Sequence, residues 1–318
     1  MSAVLSNRRN SEGSVQVSLA ELVALRARVA RIALPPLDSR AAHAGQQFSR
    51  LYGRGMDYAE SRIYQPGDDV RRMDWRLTAR SGKLHTKLFQ EEREGRLLVL
   101  LDTHASMRFG TRVRFKSVQA ARAAALAAWC AVRAGERVGL MSFGDPHPLL
   151  RPRTGVRGAL ALCGALAEWG AQRPVELSPS EPLSDALLRA NRLMHGASRV
   201  LLISDGLSCD EAARGRLLDL SRHAGIRVLV VADALELQPM PAGRYPLEHD
   251  GVQREVALHA ERQRRDFQRI LGAGAARLAA MANTLGLPCR SIDTAADPLD
   301  AITALLTVTK RVRRGVMR

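Results

Sequence analysis

The sequence predicts an α/β protein with a doubly wound, mostly parallel six-stranded sheet. Short runs rich in Leu, Val and Ile alternate with longer segments of helical periodicity, which is typical of parallel strands joined by crossover helices. Two of these runs, residues 96–102 and 199–205, are apolar almost throughout, as expected of strands buried on both faces. Both runs also end in an aspartate, and the predicted strand order 3-2-1-4-5-6 places these two strands side by side.

The remaining elements follow from local patterns. An N-terminal helix begins at Ser18, because Ser18 and Glu21 have capping-box spacing and apolar residues follow with helical periodicity; Pro35 and Pro36 end it. Strands are expected at 96–102, 136–143, 147–151, 199–205, 226–232 and 288–292, and helices at 113–134, 156–169, 183–195, 210–224, 255–286 and 297–307.

Four segments are expected along the chain. Residues 1–16 are a disordered lead, 17–95 hold the N-terminal helix and a small charged module, 96–307 form the sheet domain, and 308–318 are a basic tail. The module is dense in charges of both signs but also contains Tyr and Trp, which favours an ordered unit over a disordered linker. Its core-poor composition predicts that it does not fold alone.

Composition limits the function classes. The chain carries 48 Lys and Arg against 32 Asp and Glu, a net charge of +16, which favours acidic partners. Specific nucleic-acid binding is not expected, because aromatic residues make up 4% of the chain and do not accompany the arginines. No apolar run reaches the roughly 18 residues that span a bilayer, so a cytoplasmic protein is expected, with peripheral membrane contact left open. The four cysteines form no C-x-x-C pair and are expected to be reduced.

The two strand-end carboxylates, Asp102 and Asp205, are the candidate binding site. Close carboxylates repel each other unless a cation, an arginine or a shared proton lies between them. A hard divalent cation such as Mg²⁺ fits this environment, and it is the candidate cofactor.

The loop after Asp102 resembles the D-x-S-x-S loop of von Willebrand factor A domains, with His104 in place of the first serine and Ser106 in place of the second. Asp205 resembles the later strand-end aspartate of those domains, and Ser180 or Glu181 stands near their metal-binding threonine. The resemblance implies a degenerate metal site of Asp102, Ser106 and Asp205, with His104 and Glu181 nearby. Alternatively, protonated His104 replaces the cation or ligates a softer metal, or Ser106 caps the following helix while Asp102 accepts backbone hydrogen bonds.

A longer motif lies in the charged module. Residues 64–80 and 87–92 resemble the signature of the bacterial "domain of unknown function 58" family, in which it precedes a von Willebrand A-like domain. The signature side chains are expected either to hold the module against the sheet domain or to bind a partner, with Trp75 as a buried anchor; they are Arg62, Tyr64, Asp68, Asp69, Arg71, Asp74, Trp75 and Arg80.

What this resemblance implies is a non-enzymatic protein-interaction adaptor that works with a MoxR-type AAA+ ATPase and its client protein in chaperone-like maturation or an envelope-related system. Two alternatives remain: a metal-dependent hydrolase or phosphatase with Asp102 as nucleophile, and a nucleic-acid-binding protein. The phosphatase alternative is weakened because haloacid dehalogenase-like enzymes need a second aspartate two residues later, where His104 stands.

Overall fold

The computed structural model describes residues 15–35, 56–91, 95–144, 148–171, 180–194, 198–249 and 252–307. These residues divide into two compact units. The sheet domain contains residues 15–35 and the described residues from 95 onwards, and the charged module contains residues 56–91. The predicted basic tail, and all of the predicted N-terminal lead except residues 15 and 16, lie outside the described residues.

The N-terminal helix belongs to the sheet domain and not, as the sequence suggested, to the same segment as the module. Helix α1 (Leu19–Ala24) continues as a 3-10 turn, Leu25–Val29, and the Ser18 hydroxyl accepts from the Glu21 amide at 3.2 Å as predicted. Leu22 is fully buried, and its carbonyl accepts a hydrogen bond from the Trp129 indole at 3.0 Å. Apolar burial against the sheet domain thus determines where this helix packs.

The charged module is a hairpin with a helix inserted between its strands. Strand β1 (Met56–Ile63) pairs antiparallel with β2 (His85–Glu91), and helix α2 (Trp75–Ser81) lies between them in sequence. Asp74 caps α2 by accepting from the Leu77 amide at 3.0 Å, and Gly82 ends the helix with a φ of 68°.

The predicted sheet order is confirmed. The later strands are β3 (Arg96–Asp102), β4 (Arg137–Phe143), β5 (Leu149–Arg153), β6 (Ser198–Ser204), β7 (Gly225–Ala232), β8 (Gly243–His249), β9 (Val252–Leu258) and β10 (Cys289–Asp293). Six of them form one sheet in the order β5-β4-β3-β6-β7-β10, which is the order 3-2-1-4-5-6. Strand β5 is antiparallel to β4 and the other pairs are parallel.

Helices cover both faces of this sheet. They are α3 (Lys116–Arg133), α4 (Gly155–Ala171), α5 (Leu183–Leu193), α6 (Glu211–His223), α7 (Ala234–Leu237), α8 (Glu261–Leu271), α9 (Ala273–Thr284) and α10 (Pro298–Thr307). Alternate residues of β3 enter different cores: Leu97 and Val99 pack with α1, α3, α4 and α10, whereas Leu98 and Leu100 pack with α5, α6 and α9. Helix α3 contributes mainly alanines, whose small side chains let it lie close to the sheet.

The prediction of one long helix over 255–286 is wrong. Strand β9 pairs antiparallel with β8 in a separate hairpin, and two helices, α8 and α9, follow it. The physical reason is visible in the sequence: Val252, Val256 and Leu258 all fall on the same alternation, broken only by Arg254, and Asp250-Gly251 before them is a strong hairpin-turn signal. The helices separate at Gly272, where a Cβ would lie 2.4 Å from the Glu236 carbonyl oxygen.

Candidate functional site at the carboxyl edge of the sheet

The loops after β3 and β6 meet at the carboxyl edge of the sheet. Leu101 pairs with Ile203 in register, so Asp102 and Ser204 end their strands at the same level. The Ser204 hydroxyl donates to Asp102 Oδ2 at 2.5 Å. Both strand-end carboxylates are therefore at one edge, and both are buried, with Asp102 and Asp205 exposed by 2% and 1%.

His104, which replaces the first serine of the motif, is hydrogen-bonded to Asp102. Asp102 Oδ1 accepts from the His104 amide at 3.0 Å and from His104 Nδ1 at 2.7 Å. The His104 ring packs edge-on against Phe143. Burial acts to lower the pKa of His104, but the hydrogen bond and charge of Asp102, with smaller contributions from Asp205 and Glu181, outweigh it and raise that pKa above its ordinary value.

Asp205 is held by a buried lysine. Lys116, the first residue of α3, donates from Nζ to Asp205 Oδ2 at 2.9 Å and to Glu236 Oε1 at 2.7 Å. Burial opposes the charge on this ammonium, but the two carboxylates outweigh it and raise the pKa of Lys116. The side chain is 1% exposed, so the chain supplies its own fixed cation at the edge of the sheet.

Helix α7 completes the cluster. Asp233 and Glu236 form a capping box, and Glu236 Oε2 accepts from the Asp233 amide at 2.7 Å. The Asp233 carboxylate also accepts from Thr111 Oγ1 at 2.6 Å and from Thr294 Oγ1 at 3.0 Å. Burial alone would raise the pKa of Asp233, but these bonds, with those from the Thr111 and Leu235 amides, lower it.

Lys116 was not predicted as a residue of this site. One signal was available: Lys116 is one of four lysines in a chain that otherwise uses arginine, and it starts an alanine-rich helix expected to be buried. A lysine within a buried segment needs an acidic partner. No local pattern joins Glu236 to Lys116 or to Asp205, which lie far from it in sequence.

Ser106 and Glu181 do not act as the motif suggests. Ser106 lies within the 3-10 turn Ala105–Arg108, and the next helix, α3, has Phe115 at its N-cap and no side-chain cap bond, so the prediction that Ser106 caps the following helix is wrong. Its buried Oγ has no hydrogen-bond partner among the described residues. Glu181 is bound by Arg189, whose Nε and Nη2 donate to its two oxygens at 3.0 and 2.6 Å.

The residues present do not fit a divalent cation. Asp102 accepts hydrogen bonds on both oxygens, and Asp205 accepts from Lys116 on one and from the Leu207 amide, at 3.0 Å, on the other. A divalent ion beside Asp205 would be repelled by the ammonium already there. Within the described residues no group of three or more His, Cys, Asp or Glu side chains has an arrangement that could hold a metal. The metal set Asp102, Ser106 and Asp205 is thus corrected to two internal pairs, Asp102 with His104 and Asp205 with Lys116.

The acidic signature residues of the charged module have structural contacts. Asp68 forms an ion pair with Arg62 at 2.6 Å. The hydrogen bond from the Gln65 amide is the main cause that lowers the pKa of the Asp68 carboxyl; Arg62 lowers it further, and burial acts in the opposite direction. Asp69 accepts from the Arg71 amide at 3.0 Å and caps a 3-10 turn, Val70–Arg72. Asp74, besides capping α2, accepts from the Ser61 hydroxyl at 2.8 Å.

The other signature side chains are more open. Trp75 is 64% exposed, so the expectation of a buried anchor is wrong; Met73, at 7%, is the buried residue of this segment. Trp75 is the first residue of α2, directly after the capping residue Asp74. Arg71 and Arg80 are exposed, and Tyr64 is half-buried, with its amide donating to the Leu84 carbonyl at 2.8 Å.

No helix among the described residues combines the length and the apolar character needed to cross a bilayer. Among solved structures, the chain is similar to BatB from Bacteroides thetaiotaomicron, with 13% identity and a TM-score of 0.40 over 65% of this chain and 95% of that one. It is also similar to a von Willebrand factor type A protein from Catenulispora acidiphila, with 12% identity and a TM-score of 0.39 over 71% of this chain and 44% of that one. Scores this low support no functional conclusion.

Comparison with protein families is more specific. The family model described as "Protein of unknown function DUF58" matches residues 60–276. Uncharacterized protein Rv1480 from Mycobacterium tuberculosis is 30% identical over 271 residues, which cover 84% of each chain. Uncharacterized protein Mb1516 from Mycobacterium bovis matches to the same extent. The matched region joins most of the charged module to most of the sheet domain, and the chain belongs to the DUF58 family.

Proposed function

We propose that this DUF58 protein is a non-catalytic interaction adaptor that docks an acidic side chain of a partner at the carboxyl edge of its sheet, without a metal. The proposed partner is a MoxR-type AAA+ ATPase, acting with a client protein in chaperone-like maturation or an envelope-related system. Family membership and the resemblance of the motifs support this assignment, and the geometry of the edge supports the metal-free mode of binding.

The proposal is supported mainly by the ion pair and the partial exposure of His104. Its side chain is paired with buried Asp102 but remains 18% exposed, whereas Lys116 is enclosed. Because its pKa is raised, His104 carries positive charge over a wider pH range than a free histidine. It can therefore offer a charged hydrogen-bond donor at the edge where doubly wound sheets bind ligands.

A pocket beside His104 gives this donor an apolar wall. Thr103, His104 and Arg108 line it together with apolar side chains from the N-terminal segment, β3, the 3-10 turn Ala105–Arg108, α3 and α4, which are Val17, Leu101, Met107, Val118, Leu166 and Trp169. Such a lining suits an acidic residue that has an apolar neighbour in the partner's sequence.

The hydrolase alternative fits this geometry less well. A nucleophilic carboxylate must present a free oxygen to the substrate. The Asp102 side chain is fully buried, and both of its oxygens accept hydrogen bonds, from His104 and from Ser204. The interactions at Asp102 orient the loop and leave no oxygen to attack a substrate.

Calorimetric titration with the MoxR-type ATPase encoded in the same genome tests the proposal. The ATPase is kept nucleotide-free, and titrations are run with Mg²⁺ and with EDTA. We expect equal affinities in the two buffers and at least about tenfold weaker binding by His104→Leu, about 1.4 kcal/mol. The control is Arg216→Met, which changes an exposed cation on α6. Unchanged binding by a folded His104→Leu protein, or loss of binding in EDTA, contradicts the proposed docking mode.

A further inference from the structure

We infer that the charged module carries a second interaction surface, one that binds an acidic segment of a partner protein through exposed apolar and arginine side chains. We call it the tip surface; its apolar members are Ile63, Val70, Trp75 and Leu84, and its cations are Arg71, Arg72, Arg76, Arg80, Lys83 and Lys87. This surface goes beyond the docking edge proposed above, because it lies in the other unit of the chain.

Backbone contacts around His85 bring the tip surface together. Ile63 stands opposite His85 in the β1–β2 register, and the Asp74 amide, next to Trp75, donates to the His85 carbonyl at 2.8 Å. The opposite end of the same hairpin is the Met56–Glu91 pair, through which the module is connected to the rest of the chain. The tip surface is therefore at the end of the hairpin away from its connections.

The apolar members are unusually exposed for their size. Ile63 is 57%, Val70 58%, Trp75 64% and Leu84 49% exposed. Single exposed apolar residues are ordinary, but four large ones within one small unit indicate an interaction site. Trp and Arg are also the residue types that contribute most to binding energy at protein interfaces.

The charge of the surface selects the partner's chemistry. Residues 70–87 contain six basic side chains and one acidic side chain, Asp74. The Asp74 carboxylate is already engaged by the Leu77 amide and the Ser61 hydroxyl. None of the six cations forms an ion pair with an acidic side chain in the described part of the chain. An acidic partner would supply the missing counter-charges.

A protein segment fits better than a nucleic acid. Single-strand binding surfaces stack successive bases on several aromatic rings. Here the exposed side chains are three aliphatic residues and one aromatic residue, Trp75. Four of the six cations are arginines, whose planar guanidinium groups bind carboxylates through two parallel hydrogen bonds.

The test uses a synthetic peptide with Leu at positions i, i+3, i+4 and i+7 and Glu elsewhere, and a matched peptide with Lys in place of Glu. Binding to the full chain is followed by titration calorimetry and by acrylamide quenching of tryptophan fluorescence. We expect the Leu/Glu peptide to bind at least about tenfold more tightly than the Leu/Lys peptide and to protect Trp75 from quenching. Trp129 is 3% exposed and will contribute little to the quenched signal, and the Trp75→Ser variant gives the background from half-buried Trp169.

Matched variants locate the contact. Trp75→Ser and the double variant Arg76→Ser/Arg80→Ser should each weaken Leu/Glu peptide binding by at least about tenfold, whereas Arg216→Ser/Arg222→Ser on α6 should not. The losses in the tip variants should persist in a His104→Leu background, which removes any binding of the peptide at the docking edge and so separates the two surfaces. Circular dichroism confirms that each variant is folded. Equal binding of the two peptides, or full binding by the tip variants, overturns the inference. Tighter binding to phosphatidylserine vesicles or to single-stranded DNA, lost in the same variants, also overturns it and assigns the surface to a membrane or a nucleic acid.

Discussion

The two ends of the central sheet both bury charged groups, but they do so in opposite ways. At the carboxyl edge, four acidic side chains surround Lys116 and His104; they are Asp102, Asp205, Asp233 and Glu236. At the amino edge, two arginines, Arg199 and Arg227, surround one buried acid, Glu136. Acids are in excess at one end of the sheet and cations at the other.

The partners of these groups differ as well. Arg199 donates to the carbonyls of Leu306 and Pro35, and Arg227 donates to the carbonyl of Leu305 at 2.9 Å. Burial, with a smaller contribution from Arg199, lowers the pKa of Arg227 to about 10. The two guanidinium groups thus bind the last carbonyls of α10, where the helix dipole favours positive charge.

This difference indicates different roles for the two ends. The amino edge binds backbone near the beginning and end of the sheet domain, which is a structural task. At the carboxyl edge, side chains from separate loops bind one another, and one of them, His104, remains partly exposed. The buried pairs at that edge fix the loops from which His104 is presented.

The largest effect should follow loss of the internal cation. In Lys116→Met, Asp205 and Glu236 are left buried without their counter-ion, and we expect a loss of about 3 to 5 kcal/mol in the free energy of unfolding. Urea denaturation at neutral pH measures it, with Arg216→Met as the control. Adding Glu236→Gln should recover part of the loss, because it removes one of the two unpaired charges. A stability within error of the wild type would show that Lys116 is not a structural cation.

A smaller effect is expected at the amino edge. In Arg199→Met, Glu136 loses its ion pair at 3.3 Å but keeps Arg227 nearby, so we expect a loss of about 2 kcal/mol near pH 8. Burial raises the pKa of Glu136 above its ordinary 4.5, and Arg199 opposes this shift. Without Arg199 the folded-state pKa of Glu136 rises further. As the pH falls through this raised pKa, Glu136 in the variant becomes neutral, and the loss of stability relative to the wild type should become smaller. Unfolding measured at several pH values checks this, and a deficit that grows towards acid pH would be the wrong sign.

His104 should give the smallest change in stability, and one with a different pH dependence. Its folded-state pKa is raised above 6.5, so its ion pair with Asp102 contributes fully below pH 6.5 and is lost as the pH rises through the folded-state pKa. His104→Gln keeps a neutral donor, and we expect it to cost about 1 kcal/mol at pH 6 and less at pH 9. A deficit that is constant over this range would mean that His104 is neutral in the folded protein.

Much of this fold could be predicted from local sequence patterns. Apolar runs such as residues 96–102 and 199–205 identify buried strands, and the aspartate at the end of each identifies the edge where they meet. The hairpin of β8 and β9 was missed because a short alternating run was assigned to the helical pattern that follows it.

The internal pairs could not be predicted in the same way. Lys116 reaches Asp205 and Glu236 across 89 and 120 residues of sequence, and nothing local to either acid indicates a lysine. The position of Trp75 is a related case. Its residue type predicts burial, but the segment buries Met73 and leaves the Trp75 indole exposed.

We expect the Lys116 ammonium and His104 to take the place of a divalent cation at the carboxyl edge. The most direct test is the thermal unfolding midpoint of the wild-type chain in MgCl2, in MnCl2 and in EDTA. A cation that binds the folded state at about 100 times its dissociation constant would stabilise the protein by about 2.7 kcal/mol. We expect the wild type to have the same midpoint in all three buffers. We expect the midpoint of Asp102→Asn in MgCl2 and in MnCl2 to equal its own midpoint in EDTA. A midpoint that Mg²⁺ or Mn²⁺ raises by several degrees in the wild type, and not in Asp102→Asn, would contradict this expectation.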